Sequence, residues 1–463
     1  MEQRGFKGLV KTLFPKPASR KIGEMAVASG VSTIGGTMCT RTFAYLAFSE
    51  TQSAFAAVLV GVAYTVSFAL VARPGAALLR KLDRRRAWAI CVVIKIVGYA
   101  IGTALAFMGD LSLPILLANS ALGGLTSGPQ YPAWQQLLRR LSPKGQLDET
   151  DGLFSSTSAV GAAIGAVAGG ILLDAFGAGV PLLLNVLSYV PLFFVVISLP
   201  ASVGKVEATT VQKKGPSARL VLEKMWENRI TRFAVLFTVL LQFLVWPIVG
   251  LLPKVASEFG SSAHIYGILL GSVYFGGILV AGLLLLAKER LTYRIVIWLA
   301  LITVATALVL LAVVGFLPIP TDPSVALASL ILLLIGAVLG VTGSILSAVT
   351  QLSADRELEG QVLALYASVS LSVGAVGGMI QGLLADSLEI WWVTLATGGL
   401  VLIALGYLTR RHDFRVFDKA DPDHNVLRRH LWSRGAPEDS PLTHTTSGGA
   451  SRPRSSATAP SRT

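Results

Sequence analysis

The sequence is short of charge and of cysteine. Only 14% of the 463 residues are charged and 53% are hydrophobic, whereas soluble domains carry roughly 25% charged residues. The mean hydropathy is +0.66. These values exclude a soluble enzyme, a collagen, a coiled coil and a disordered chain. The two cysteines, Cys39 and Cys91, lie inside apolar runs and lack metal-ligand spacing, so we expect neither a disulfide nor a metal site.

Ionisable groups are also missing from the centres of the apolar runs. These regions contain no Asp, Glu or His, and the chain has no nucleotide-type phosphate loop. An enzyme embedded in the membrane needs paired acids, histidines or metal ligands, so we expect a protein that is not an enzyme and that uses no cofactor. Three carboxylates near the run ends are the remaining candidate proton carriers, although solvated or capping roles suit them better: Glu24, Glu50 and Asp151.

The apolar residues form twelve continuous runs, each close to the roughly 20 residues that cross a bilayer. Their continuity differs from the alternating pattern of a membrane β-barrel. We therefore predict an all-α integral membrane protein with twelve transmembrane helices. The predicted spans are 23–48, 54–74, 87–108, 112–138, 153–173, 178–199, 233–252, 265–287, 294–316, 324–350, 362–386 and 390–408.

The basic residues follow the membrane topology. The net charge is +13, from 39 basic and 26 acidic residues, and the basic residues concentrate in alternate connections. Arg41, Lys95 and Lys254 are the exceptions. Because connections rich in Lys and Arg face the cytoplasm, both termini are expected there, and the charge requires no nucleic-acid partner.

The longest internal connection divides the spans six and six. The predicted organisation is an N-terminal cytoplasmic segment (1–22), a six-helix bundle (23–199), a cytoplasmic linker (200–232), a second bundle (233–408) and a disordered cytoplasmic tail (409–463). Residues 6–14 have the spacing of a helix on the membrane surface, although a disordered segment fits nearly as well. In the linker we predict a short helix capped by Ser217, with an apolar face of Leu222, Met225, Trp226 and Ile230.

The two halves resemble each other. Residues 61–64 recur as 271–274, at an offset of 210, and residues 165–174 recur as 377–386, at an offset of 212. Two matches at nearly the same offset favour a duplicated six-span unit in the same orientation.

The connection after the second span carries a signature. Residues 74–86 read Pro-Gly-Ala-Ala-Leu-Leu-Arg-Lys-Leu-Asp-Arg-Arg-Arg. This segment resembles the loop signature of the major facilitator superfamily, and two parallel six-span halves resemble its fold. In that superfamily an acid at the position of Arg80 helps to latch the cytoplasmic gate, so the resemblance leaves Asp83 as the available acid. The gating residues that it implies are Gly75, Asp83, Arg84 and Arg85.

Glycines recur every four residues in spans five and eleven. The span-five pattern resembles the antiporter signature of drug exporters, with Ala166 in place of the usual proline. Such stripes let helices approach closely, and ordinary packing explains them equally well. The predicted helix-packing glycines are Gly161, Gly165, Gly169, Gly170, Gly374, Gly378 and Gly382.

Four further segments resemble the multidrug and siderophore (enterobactin exporter-like) efflux branch: 35–41, 184–189, 253–277 and 351–365. This resemblance implies a monomeric efflux pump in the cell membrane that works by alternating access and is driven by the proton gradient. Its substrates would be small amphipathic molecules such as drugs, siderophores or secondary metabolites. A lipid or lysolipid flippase and a solute uptake carrier of the same fold remain alternatives.

Polar and aromatic residues near the middle of the spans are candidates for substrate binding, although helix packing is an alternative role for each of them. Tyr64 and Tyr274 are related by the repeat, and Gln242 and Trp246 share a face of span seven, because they are four residues apart. The predicted substrate-binding residues are Arg41, Tyr64, Asn119, Gln130, Gln242, Trp246 and Tyr274.

Arg41 is the most informative of these residues. A charge at the centre of a membrane helix costs about 2.5–3.5 kcal/mol, so it normally faces protein or water. Ser29, Thr33, Thr37 and Arg41 recur every four residues, which predicts a polar stripe facing the central cavity. The predicted partners of Arg41 are a backbone carbonyl, Glu50 or an anionic ligand. Lys95 has no such stripe, so we predict that it reaches the lipid head groups.

Overall fold

The computed structural model describes residues 15–79, 82–143, 145–204, 218–260, 262–286, 293–352 and 359–410. Within these residues, the first half contains six long helices and a short one. They are α1 (Arg20–Thr51), α2 (Ala54–Leu79), α3 (Arg84–Met108), α4 (Leu113–Leu141), α5 (Leu147–Phe176), α6 (Gly179–Ile197) and α7 (Ala201–Gly204).

The second half begins with a linker helix and continues with six further spans. These helices are α8 (Ala218–Glu227), α9 (Arg229–Leu244), α10 (Pro247–Phe259), α11 (Ala263–Leu286), α12 (Tyr293–Phe316), α13 (Thr321–Leu352), α14 (Glu359–Ser387) and α15 (Ile390–Arg410). The prediction of an all-α membrane protein with twelve spans is confirmed, with α9 and α10 together forming span seven. The N-terminal residues 6–14, Ser217 and the tail beyond 410 lie outside the described residues.

Ten of the spans are apolar and long enough to cross a membrane by composition alone. The other two, α1 and α4, have 32 and 29 residues, which exceeds the bilayer requirement at about 1.5 Å per residue. Their lower hydropathy reflects polar side chains such as Arg41 and Gln130. The chain is therefore a multi-pass membrane protein.

Local signals fix several helix ends. Ser19 caps α1 by accepting a hydrogen bond from the Ile22 amide, and Asn228 caps α9 by accepting from Ile230 and Thr231. Asp83 caps α3. Gly109 ends that helix in the left-handed conformation, with φ of 81°, which glycine adopts without steric cost.

Span seven is broken, which corrects the prediction of one straight helix. Pro247 has no backbone N–H and sits at the first turn of α10, so the hydrogen-bond ladder is interrupted there. The amides of Val245 and Trp246 both bond to the Leu241 carbonyl. Gln242 and Trp246 therefore belong to different helical segments.

The linker helix α8 buries a different face from the predicted one. Val221 and Met225 are buried, whereas Leu222 and Trp226 are about half exposed. Ile230 falls in α9, because Asn228 starts a new helix there. The buried face packs against α9 and α14.

Each half has its own apolar core, and few helix pairs join the halves. The main contacts between halves are α5 with α11 and α2 with α14, and α10 adds contacts to α1 and α2. We call the membrane side that carries residues 20, 84 and 204 the linker side. The opposite side, with the helix ends near residues 52, 177, 262 and 388, is the far side.

Candidate functional site

A cavity of about 410 Å³ lies between the two halves. The first half contributes residues 155–160 of α5, and the second half contributes α11, α13 and the break in span seven. The wall is mostly apolar, with valine, isoleucine and leucine side chains, and its polar members are few. They are Ser155, Ser156, Trp246, Tyr274 and Ser344. A mostly apolar pocket with a few polar groups suits a small amphipathic ligand.

Arg41 joins the two halves at this cavity. Its Nη2 atom donates a hydrogen bond of 2.6 Å to the Tyr274 hydroxyl, and the guanidinium carbon lies 5.8 Å from the Tyr274 ring centroid. Tyr274 lines the larger cavity, so Arg41 stands one hydrogen bond behind the cavity wall. This partner differs from the predicted ones, because the sequence of span one alone carries no sign of a contact with the other half.

The Arg41 charge is incompletely matched. No described acidic side chain forms an ion pair with it, and its Nε atom is buried without a hydrogen-bond partner among the described residues. The Tyr266 hydroxyl interacts electrostatically with the guanidinium. It is buried and forms no hydrogen bond with the described residues. A cation supported only by neutral oxygens retains strong attraction for an anionic or hydrogen-bond-accepting group.

The polar stripe on α1 is divided rather than directed at one cavity, which corrects the prediction. Ser29 lines a second, smaller cavity, and the Thr33 hydroxyl bonds to the Ser29 carbonyl of its own helix. Gly161 of α5 packs against the Thr33 side chain. Hydroxyls in helices often satisfy themselves in this way, so a stripe of threonines is weak evidence of a water-facing surface.

The smaller cavity has a volume of about 240 Å³ and lies within the first half. Tyr64 and Gln130 line it, so the structure places the repeat-related Tyr64 and Tyr274 in different cavities. The remaining wall is strongly aromatic. It includes Phe68, Trp88, Tyr131 and Trp134.

Lys95 is buried beside the smaller cavity, and the prediction that it reaches the lipid head groups is wrong. Only 6% of the Lys95 surface is exposed. Its Nζ atom donates to Ser127 Oγ and to Gln130 Oε1, both at 2.9 Å. Both partners come from α4, so the neighbours of Lys95 on its own helix gave no sign of them.

Asn119 and Gln242 line neither cavity. Asn119 is buried, donates to the Ile115 carbonyl of its own helix and packs against Gly102 of α3. Gln242 is half-buried, and its carbonyl lies beside Gly374. In this conformation both residues pack between helices, which was the alternative role for them.

The contacts of Asp83 described here lie within the first half. Its carboxylate accepts from the Arg85 amide at 2.9 Å and from two nitrogens of the Arg85 guanidinium, and Gly204 of α7 packs over it. Arg85 also donates to the Leu199 carbonyl. Burial by itself would raise the pKa of Asp83, but the Arg85 hydrogen bonds hold that pKa below its usual range. Arg84 is half-buried beside it, and Gly75 lies within α2.

The predicted packing glycines serve two kinds of contact. Gly161, Gly165 and Gly169 pack against α1 within the first half, and Gly374 packs beside Trp246. The remaining glycines bring the halves together. Gly170 lies against Ala263 and Gly267 of α11, while Gly378 and Gly382 lie against Val58 and Phe55 of α2.

Two aspartates cross between the halves at the far side, and we call these contacts the far-side clasps. Asp174, at the end of α5, accepts from the backbone amides of Ala263 and His264 at 2.9 and 3.0 Å and lies 2.6 Å from the His264 ring Nδ1. Each amide belongs to the beginning of α11, where a helix attracts negative charge.

The second clasp repeats the first. Asp386, at the end of α14, accepts from the amides of Ala54 and Phe55 at 2.6 and 3.3 Å and from Ser53 Oγ at 2.5 Å. Asp174 and Asp386 occupy equivalent positions of the sequence repeat. Both acids end the repeated segments 165–174 and 377–386 of the sequence, where they had been given no functional role.

The comparisons with known proteins agree with this architecture. A family model described as transmembrane secretion effector matches residues 17–433. No curated protein sequence is significantly similar to the chain. Among solved structures, a bacterial homologue of the human lysosomal transporter Spinster, described as inward-facing and unoccupied, aligns with a TM-score of 0.65 at 14% identity, covering 88% of this chain and 98% of that one.

Two other transporters are similar in fold. A POT family transporter in complex with a thioalcohol-conjugated peptide aligns with a TM-score of 0.65 at 14% identity, covering 86% of this chain and 98% of its own. A D-xylose–proton symporter aligns with a TM-score of 0.64 at 13% identity, with coverages of 83% and 96%. At these identities the likeness establishes the fold alone.

Proposed function

The chain belongs to the transmembrane secretion effector family and is a membrane transporter of the major facilitator fold, and we propose on this basis that it exports small amphipathic molecules by alternating access. The observation that carries this proposal is the Arg41–Tyr274 contact, which links the two halves beside a cavity that both halves form.

The positions of the contacts between halves support alternating access. On the far side, residues 163–174 of α5 pack against residues 263–271 of α11. The larger cavity lies next to this contact, on its linker side, between residues 155–160 and residues 273–280. The two clasps also lie on the far side. The structure is therefore closed at the far side, and separating the clasps would expose the same cavity to that side.

We assign the linker side to the cytoplasm, because its helix ends carry clusters of arginine such as Arg84–Arg86 and Arg139–Arg140. Both termini are then cytoplasmic. We place the protein in the cell membrane. Since one chain contains both halves, it works as a monomer.

The proposed substrate class rests on the positive charge of Arg41, which lies directly behind the wall of the larger cavity. Arg41 supplies a positive charge without a described carboxylate partner, while the wall is apolar and carries two aromatic side chains, Trp246 and Tyr274. An anionic or strongly hydrogen-bond-accepting group would approach Arg41, and an apolar or aromatic body would occupy the wall. The preferred substrate is therefore an amphipathic anion.

The test compares an anionic with a cationic fluorescent amphipath in proteoliposomes. Arg41→Ala should weaken transport of the anionic dye more than Arg41→Lys does, and neither variant should affect the cationic dye as strongly. Lys254→Ala is the control, because it also removes one positive charge but lies in neither cavity wall and pairs with Glu258 at 3.2 Å. Equal transport of both dyes by both Arg41 variants would contradict the proposal of an anionic substrate. Accumulation of the dye on the cytoplasmic side would contradict export and indicate uptake.

A further inference from the structure

Lys95 is a buried amine whose partners among the described residues are all neutral. It lies in α3, is 6% exposed, and binds Ser127 Oγ and Gln130 Oε1 of α4. Its Nζ atom also lies 5.5 Å from the ring centroid of Tyr189 in α6, a distance at which an aromatic face attracts a cation. The binding of substrate at Arg41 makes no use of this group.

Among the residues that the structure describes, no carboxylate balances a charge on Lys95. The ion pairs among the described residues lie near the helix ends and involve Glu24, Asp83, Asp174, Glu227 and Glu258. A charged amine deep in a membrane protein is costly unless it is paired. The neutral amine avoids this cost, so the site holds the proton less tightly than an ion pair would.

The two partners of Lys95 can serve either protonation state. A hydroxyl both donates and accepts, and a rotated amide offers NH₂ in place of its oxygen. Ser127 and Gln130 therefore accept from the ammonium in the structure, and the same side chains can donate to the lone pair of a neutral amine. A carboxylate partner lacks this property, because it only accepts.

The proton has a route to the site. Ser127 and Gln130 both line the smaller cavity, and Tyr131, which lines it too, is 56% exposed. The amine is thus one hydrogen bond away from the wall of this cavity, which is the proposed path of the proton.

The neighbouring titratable groups leave Lys95 as the cation of the site. α3 packs against α4, α6 and α7. Cys91 of α3 faces the amine, α6 contributes Tyr189, and the hydroxyl of Tyr64 in α2 faces Ser127. Thiols and phenols are neutral when protonated, so none of these groups brings a charge at neutral pH. From α4 and α7, no described charged side chain faces the amine.

We propose that Lys95 is the proton-carrying group that couples transport to the proton gradient, in place of the mid-membrane carboxylate that this chain lacks. The proton binds the lone pair of the amine while the smaller cavity is open to water, and it leaves when the conformational change alters that access. Coupling follows because the two protonation states differ in stability between the two conformations. This inference rests on the proposed transport function.

The experiment separates coupling from transport in proteoliposomes that contain the wild type, Lys95→Met, Lys95→Arg or the control Lys254→Met. Substrate exchange without a gradient measures alternating access alone, and accumulation under an imposed pH gradient measures coupling. With one proton exchanged per substrate, each pH unit supports about a tenfold concentration ratio. We expect both Lys95 variants to exchange substrate but to lose this accumulation, while Lys254→Met keeps it.

Lys95→Arg distinguishes a proton carrier from an anion-binding site. Arginine keeps the positive charge permanently, so an anion site would retain function and a proton carrier would lose coupling. Unchanged accumulation in Lys95→Met or in Lys95→Arg would overturn the proposal. Absence of exchange by the wild type would contradict the proposed transport function, and the coupling role with it. Melting curves of the purified variants verify that each is folded.

Discussion

Replacing Asp174 and Asp386 by asparagine should shift the protein towards a conformation that is open at the far side. Each carboxylate accepts three hydrogen bonds from the opposite half, and in each clasp two of the donors are backbone amides at the beginning of a helix. These bonds exist only while the halves touch at the far side. Weakening them therefore destabilises the closed state selectively.

The size of the shift follows from the charge. A hydrogen bond to a charged group contributes about 1.5–3 kcal/mol, against about 0.5–1.5 kcal/mol between neutral groups, and the helix dipole adds about 0.3–1 kcal/mol. Asparagine keeps one acceptor oxygen without the charge, so each substitution should cost the closed state about 1–2 kcal/mol. This is about a 5- to 30-fold change in the ratio of open to closed molecules. The two clasps are separate, so their effects should add.

Spin labels measure this change directly. Asp110→Cys and Asp322→Cys place one label on each half at exposed far-side positions, and the native thiols of Cys39 and Cys91 are buried. The distance distribution should gain a longer component in each single variant and more of it in the double variant. Glu258→Gln is the matched control, since it removes a far-side charge whose ion pair lies within α10. An unchanged distribution in the double variant would refute the clasp mechanism.

Three further predictions test other contacts. Trp246→Ala should slow transport of bulky substrates without lowering the melting temperature, because Trp246 lines the larger cavity and is 43% exposed; unchanged transport would remove it from the site. Gly170→Ala should lower the melting temperature, because its Cβ would stand 2.4 Å from the Ala263 carbonyl oxygen and overpacking costs about 1–3 kcal/mol. Gly343→Ala, with open space around it, should not lower it. Asp83→Asn should destabilise the protein at neutral pH by about 1 kcal/mol, because asparagine keeps the helix cap but loses the charge that strengthens the hydrogen bonds to the Arg85 guanidinium. Because the folded-state pKa of Asp83 is lowered, its stabilisation is present above its usual pKa and is lost as the pH falls, so melting temperatures of variant and wild type should converge in acid.

The order and approximate ends of the spans could be predicted because hydropathy and bilayer thickness constrain both. The break in span seven had a local signal in Pro247 that the hydropathy of the run concealed. Contacts between helices had no such signal. Lys95 was misassigned because Ser127 and Gln130 lie on another helix, and the partner of Arg41 lies in the other half of the chain.

The sequence repeat relates the two aspartates of the far-side clasps, but it does not predict their contacts. Asp174 and Asp386 occur at the same position of the duplicated unit, but a sequence shows neither which helix ends meet nor which conformation is adopted. Glycine stripes predicted close packing without specifying the partner helix. Gly161 and Gly170 differ by nine positions and face different halves, which depends on how α5 is placed between α1 and α11.

The most direct test of a gradient-driven exporter of amphipathic anions is uphill transport by the purified wild-type protein. Proteoliposomes that contain equal internal and external concentrations of an anionic fluorescent amphipath receive an imposed pH gradient, and the orientation of the protein is determined by protease access to the C-terminal tail. Net movement of the dye out of the cytoplasm-equivalent compartment against its own concentration, abolished by a protonophore, is the predicted result. Movement that ignores the gradient, or that stops at equal concentrations, would contradict the account.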